Sequence, residues 1–417
     1  VFSEPEGGKK INMGKILFFN IPAQGHMNPA LPVVAELVRR GEQVICVNTA
    51  EFRQQIEATG AEFREYPDVS DLEPLMKEAG AGDIARNAVT LVQIGERLIP
   101  FTTDLIQREK PDCVMHDTLA GWAEMTKRRL NLRAVALCVT FVVTPESSIT
   151  LPVPLMLHTL YRYARLFPEY WRTARQIQAQ YQVKSVGLLD ALMCLAEMNI
   201  VFTSRQFQPS GNSFKPHFKF VGTSMSSRPS NTDFPFEQLT KRPLVYISLG
   251  TINNMNVEFY RACFAAFGAH PGQFIMSIGK NTKIADLGEI PNNFIVRNFV
   301  PQLEILQRVD VFITHGGLNS THEGFYYGVP LIVIPQQVEQ AIVASQVVKY
   351  GAGISLGAKP PFGKVTANEL QQALAKLLSN TEQYKTQAKI LGDSLREAGG
   401  YARAADEIQA FMKNGSA

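Results

Sequence analysis

The run THGGLNSTHEGFYYGVPLIVIPQQVEQ, Thr314 to Gln340, gathers polar groups around two apolar segments. His315, Gly316 and Gly317 end one apolar run, and a helical pattern begins near Asn319. A helix start offers free backbone N–H groups and partial positive charge. Two glycines let a phosphate approach the backbone closely, and Asn319 and Ser320 add donors. The chemistry is that of a phosphate cradle without a lysine-bearing phosphate loop. A second reading stays open, because Ser320 to Glu323 also has the spacing of a capping box that only satisfies a helix end. The loop Ser248-Leu-Gly250-Thr251 is equally open, as a phosphate-approaching turn or an ordinary one.

A different chemistry stands near the amino terminus. His26 lies in the turn NIPAQGHMNP, after an apolar run and before a helical pattern. Asp117 ends the run PDCVMHD. A carboxylate that holds one imidazole nitrogen fixes the tautomer and raises the basicity of the other, which makes a general base. Alone, His26 reads as a surface or capping residue, and Asp117 as the cap of a helix beginning near Leu119. His116 is beside Asp117, but strand alternation points it the other way. The first turn lacks G-x-G-x-x-G, which disfavours an NAD or FAD enzyme.

Both sets need strands that end at a common edge, and the pattern supplies them. KILFFNIP (Lys15 to Pro22), QVICVNT (Gln43 to Thr49), PDCVMHD (Pro111 to Asp117) and RAVALCVTF (Arg133 to Phe141) read as buried strands. A helix is expected over Asn28 to Gly41, capped by Asn28 with Pro29 in its first position. From Ser204 to Pro243 periodicity fades, with one short strand at Phe218 to Gly222, and this stretch reads as a connection and hinge. A second series follows in PLVYISLGT, QFIMSIG, VDVFITHGG and PLIVIP. After Thr366 the pattern is helical. The expected fold is α/β: two doubly wound, Rossmann-like parallel-sheet domains facing across a cleft, with a helical tail. The expected divisions are an extension at 1–12, domains at 13–222 and 243–395, a linker at 223–242, and a helix at 396–417 that crosses back to the first domain.

With 417 residues, the chain is too long for one ordinary core. Its formal charge of +3, without long basic runs, argues against nucleic acid as a partner. Five scattered cysteines, Cys46, Cys113, Cys138, Cys194 and Cys263, show no metal spacing and read as buried thiols of a cytoplasmic protein. No apolar run approaches the roughly 20 residues of a membrane span.

Taken together, these residues resemble the GT-B family of UDP-sugar-dependent glycosyltransferases, nearest the bacterial macrolide-type and flavonoid-modifying enzymes. The specific part is VPQLEIL…THGGLNSTHEG…GVPLIVIPQQVEQ, Val300 to Gln340, and GHMNP with Asp117 match the family's catalytic pair. The resemblance implies that Gln302 and neighbouring Val300 meet the nucleoside, and that His315, Gly317, Asn319 and Ser320 hold the diphosphate. Gly250 and Thr251 assist from the facing loop. Glu323 would bind ribose, and Glu339 and Gln340 the sugar. Phe299 stands where plant relatives have a stacking Trp, and Glu339 where they have Asp.

By the same resemblance the donor is a UDP-sugar, best UDP-glucose, used as co-substrate with no other cofactor and no metal. The acceptor is a hydrophobic small molecule near His26, with Phe101 and Phe141 as pocket candidates. Leu151 to Gln176, rich in Leu, Tyr and Phe with Trp171, reads as an amphipathic helix pair or as a mobile pocket wall. Its modest length and few basic residues weigh against a membrane contact and a lipid acceptor. A nucleotide-sugar-binding regulator without turnover is the non-enzymatic alternative.

Overall fold

The structure is a computed structural model. It describes residues 14–67, 84–147, 149, 153–187, 190–226, 234–250, 254–359 and 362–414. The expected extension at 1–12, residues 227–233 of the expected linker, and Thr251 lie outside the described residues.

The first sheet is built from β1 (Lys15–Phe19), β2 (Gln43–Asn48), β3 (Glu62–Glu65), β4 (Cys113–Asp117), β5 (Ala134–Cys138), β6 (Met198–Val201) and β7 (Phe218–Phe220), in the order β3-β2-β1-β4-β5-β6-β7. All pairs are parallel. The helices that connect them are α1 (Gln24–Arg39), α2 (Arg53–Glu57), α3 (Ile84–Glu109), α4 (Gly121–Leu130) and α5 (Val153–Tyr181). Strand β1 is apolar at successive positions because both its faces are covered. Ile16 and Phe18 meet Val33, Val34 and Leu37 of α1, while Leu17 and Phe19 meet Leu91 and Leu98 of α3 and Trp122 of α4.

The second sheet has β8 (Leu244–Ser248), β9 (Gln273–Ser277), β10 (Phe294–Arg297), β11 (Val311–Thr314), β12 (Leu331–Val333) and β13 (Gly353–Ser355), ordered β10-β9-β8-β11-β12-β13. These pairs are parallel too. Its helices are α6 (Val257–Phe267), α7 (Gln302–Leu306), α8 (Leu318–Tyr326), α9 (Val338–Lys349), α10 (Ala367–Ser379) and α11 (Thr381–Glu397). The last helix, α12 (Gly400–Lys413), sends Ala404, Ala405 and Ile408 into the core of the first sheet beside α1.

Four local expectations are corrected. Helix α1 starts at Gln24, not Asn28, so Pro29 and Pro32 lie inside it and His26 sits in its first turn. Ser320 and Glu323 do not cap α8, whose cap position is Gly317 with no side-chain hydrogen bond. Leu151 to Gln176 is not a helix pair, because α5 runs unbroken past Pro168. The start of the expected hinge is packed core. Phe207 is fully buried against Phe141, Phe325 and Tyr350, and Ser394 Oγ donates to Ser204 Oγ at 2.9 Å. Spacing alone cannot show that an apolar residue in an aperiodic stretch plugs another unit's core.

Candidate active site

Each sheet reverses its strand order at one point, between β1 and β4 in the first and between β8 and β11 in the second. Loops diverge there, and ligands of open parallel sheets bind in the crevice beyond those strand ends. His26 follows β1 and Asp117 ends β4; Gly250 follows β8 and His315 follows β11. The residues singled out for chemistry therefore converge on the two crevices.

In the first crevice His26 Nδ1 is 2.7 Å from Asp117 Oδ2. Asp117 is 1% exposed, and its other oxygen accepts from the Leu119 N–H at 2.8 Å. Asp117 does not cap the helix as expected, because α4 starts at Gly121 after Ala120 with no side-chain cap; one oxygen holds the Leu119 turn and the other the imidazole. With Nδ1–H donating to Asp117, Nε2 is left with its lone pair for a substrate proton. Burial alone pulls the His26 pKa down, but the Asp117 charge and hydrogen bond, with the charge of Glu339, outweigh it and hold the pKa above its ordinary value. His116 points away as alternation requires, buried with Nδ1 3.0 Å from the Asp117 carbonyl oxygen and Nε2 3.5 Å from Glu124.

In the second crevice the His315 imidazole is held between two glycines. A Cβ on Gly250 would lie 2.6 Å from His315 Cε1, and one on Gly317 would lie 2.5 Å from Nε2. Burial drives the His315 pKa down to about 4 against a backbone hydrogen bond with Ser248, so the ring is neutral at pH 7. A neutral ring donates one N–H to an anion without bringing a charge. The first turn of α8, at Leu318, Asn319 and Ser320, directs N–H groups out of the helix start beside it.

Gln302 and Glu323 meet behind that turn. Gln302 Nε2 donates to Glu323 Oε2 at 2.6 Å, and Gln302 Oε1 accepts from the Tyr246 hydroxyl at 3.0 Å. Tyr246 was not singled out by sequence; it reads there as one more apolar strand residue. Phe299 is 52% exposed, and Val300 packs on the adjacent core. Glu339 is half-buried in the first turn of α9, and its carboxyl pKa is raised by burial although the His26 charge lowers it. Gln340 is buried, and its Oε1 accepts from the Gln336 N–H at 2.7 Å.

The two crevices face each other. Glu339 of one lies within electrostatic range of His26 of the other, and Asn319 Nδ2 donates to the Gly25 carbonyl oxygen. Elsewhere the halves meet where Thr203 Oγ1 lies 3.1 Å from His322 Nε2. Two expected acceptor residues sit in packing contacts: Phe101 is half-buried against Tyr66, and Phe141 is buried against Phe207. Among the described residues no group of three His, Cys, Asp or Glu side chains is placed to hold a metal ion, and no helix is long and apolar enough to cross a membrane.

Comparison with known proteins agrees with this fold. The family described as erythromycin biosynthesis protein CIII-like, C-terminal domain, matches residues 262–399. The uncharacterized UDP-glucosyltransferase YojK of Bacillus subtilis (strain 168) is 34% identical over 407 residues, covering 96% of this chain and 98% of that protein. The oleandomycin glycosyltransferase of Streptomyces antibioticus is 28% identical over 410 residues, covering 95% of this chain and 90% of the relative. The crystal structure of the glycotransferase of kitacinnamycin superposes with a TM-score of 0.78 at 25% identity, over 95% of this chain and 98% of that one. This chain belongs to the GT-B glycosyltransferases, within the bacterial group that contains the Bacillus UDP-glucosyltransferases and the macrolide glycosyltransferases.

Proposed function

We propose that this glycosyltransferase moves glucose from UDP-glucose to a hydroxyl of a hydrophobic small molecule, such as a flavonoid, phenol or macrolide, with inversion at the anomeric carbon. The observation that carries the reading is the 2.7 Å contact of His26 with Asp117, in a crevice faced by Glu339. His26 Nε2 takes the acceptor proton as that oxygen forms its bond to the anomeric carbon. The bond from that carbon to the diphosphate oxygen breaks on the opposite side, and UDP leaves with both electrons. Asp117 stabilises the imidazolium that forms.

The donor roles are proposed from the family resemblance, which the geometry of the described residues supports. Gln302 and Glu323 take the nucleoside, with Phe299 and Val300 beside the base. The α8 start, His315, Gly317, Asn319, Ser320 and the Gly250–Thr251 loop take the diphosphate, whose charge grows as UDP departs. Glu339 and Gln340 take the sugar hydroxyls. With N–H donors serving the leaving group, the reading includes turnover without a metal or any cofactor beyond the UDP-sugar. The five cysteines are all free and buried, which suits a reducing cytoplasm.

The test is incubation with UDP-glucose and EDTA against a panel of phenols, flavonoids and macrolides, with products read by mass. A hexose adduct is expected on at least one acceptor. UDP binding without an adduct or UDP release on any acceptor would instead favour a nucleotide-sugar-binding protein.

A further inference from the structure

Helix α5 carries an exposed apolar stripe that the transfer reaction does not account for. Met156, Leu157, Leu160, Tyr161, Phe167 and Trp171 are 43–61% exposed, and they make up six of the twelve exposed large apolar side chains among the described residues. At about 100° per residue they share one side of the helix. The opposite side packs inward through Leu166, Thr173 and Ile177. The stripe is thus a deliberate second apolar face and not a scatter of surface residues.

Its dimensions argue against a small ligand. From Met156 to Trp171 is 15 residues, about 22 Å along a helix. That exceeds one wall of a pocket for a single small molecule, and the face of a helix is convex where pockets are concave. Its charge is one-sided. Arg165 and Arg172, seven residues apart, are exposed along one margin, and the Arg175 guanidinium lies 3.6 Å from the centre of the Trp171 ring. The acid of this helix span, Glu169, turns away to Arg86 and Gln93 of α3. Apolar side chains along a helix with arginines at the rim are complementary to an anionic lipid surface.

We propose that α5 docks the enzyme reversibly on anionic membranes, with the stripe in the headgroup–acyl boundary and the arginines on lipid phosphates. Modest length and few basic residues weigh against a membrane contact in the sequence; the unbroken helix supplies the length, and Arg165, Arg172 and Arg175 supply charge along the stripe. Docking would set the acceptor side against the phase in which apolar alcohols accumulate.

The full chain carries its own reporter. Of its two tryptophans, Trp122 is 2% exposed and Trp171 46%. Vesicles of phosphatidylglycerol and phosphatidylcholine should float the protein, shift Trp171 emission to the blue and protect it from acrylamide, all weakened by salt. Arg165→Gln with Arg172→Gln should lower partitioning about 30-fold. Leu160→Glu with Phe167→Glu should abolish it. Circular dichroism and melting must match the parent, which keeps a folding defect from mimicking the result. Failure to float would overturn the proposal, as would equal binding to pure phosphatidylcholine or undiminished flotation of both variants. Protection of Trp171 by self-association without vesicles would overturn it too. None of these readouts depends on sugar transfer.

Discussion

Asn319 donates to the Gly25 carbonyl oxygen, an oxygen that Pro29 leaves without its helical N–H partner. Inside α1 that carbonyl would ordinarily accept from the residue four positions on, and a proline there has nothing to give. The acceptor so released stands one residue before His26. A proline in the wrong place for helix stability thereby ties the start of α8 to the turn that holds the imidazole.

Pro29→Ala tests this link. The new N–H gives Gly25 an intrahelical partner and removes a residue costing about 3 kcal/mol in a helix interior. Melting temperature should rise. Turnover should fall, about 10- to 100-fold if His26 shifts by a fraction of an ångström. A more stable enzyme with unchanged kcat would show that the released carbonyl has no part in aligning the site.

Asp117→Asn keeps the oxygen that accepts from Leu119 and takes away the charge that orients His26. It should lower kcat by about 10²- to 10⁴-fold with UDP affinity unchanged, because the amide cannot stabilise an imidazolium. Calorimetric titration of UDP beside steady-state kinetics separates the two. Loss of UDP affinity in parallel with kcat would point to a collapsed crevice and not to a lost base partner.

The pH profile carries the same assignment. A base must be unprotonated to act, so kcat/KM should rise with pH through the His26 pKa and then level off. Asp117 and Glu339 together hold that pKa above 6.5 despite burial, so the acid limb should have its midpoint above that value. Glu339→Gln removes one of the raising charges and should move the midpoint to lower pH, whatever it does to the height of the plateau. A midpoint that stays fixed would mean that the two groups do not sense each other across the cleft.

Gly317→Ala asks whether close approach or backbone conformation made glycine necessary. Gly317 has φ −59° and ψ 135°, which alanine adopts freely. The obstacle is the His315 ring, 2.5 Å from the added carbon, and a Cβ on Gly250 would also crowd it. The ring would have to shift, so UDP affinity should fall about tenfold or more while Tm changes little. Unaltered affinity would show that the ring does not help to hold the diphosphate.

How much of this was visible in the chain depends on the kind of signal. Buried parallel strands announce themselves as apolar runs, and the crevice rule then brings His26, Asp117, Gly250 and His315 to their edges without any coordinates. Strands β3, β6, β10 and β13 were harder: they are three or four residues long, and Glu62–Glu65 is also half exposed at a sheet margin. The helix start at Gln24 was hidden by Pro29, which is as compatible with a first position as with an interior one whose lost hydrogen bond is used elsewhere. Ser320 and Glu323 matched a capping box, and the Gln302–Glu323 contact shows that the carboxylate is engaged by α7. Contacts between the halves, such as Phe207 in the second core, have no local signature.

One of those contacts predicts an acid limit to stability. His322 is fully buried on α8, edge-on to Phe207 and 3.1 Å from Thr203 Oγ1, and burial drives its pKa down from 6.5 to about 3. The unfolded chain then binds one more proton than the folded chain between those two values. Its contribution is therefore fully present above about pH 6.5 and is lost as pH falls toward 3, with a slope of roughly 1.4 kcal/mol per pH unit. His315 adds a similar loss over a narrower window, between 6.5 and about 4. Denaturant unfolding from pH 7 to pH 5 should show stability declining, and His322→Gln should make the decline shallower even though its stability at pH 7 is lower. Gln can still reach Thr203, so the variant removes the titration and keeps a polar partner. An unchanged slope would mean that His322 gains its proton in the folded protein as readily as in the unfolded chain, and that the seam between the halves is wetter than its packing implies.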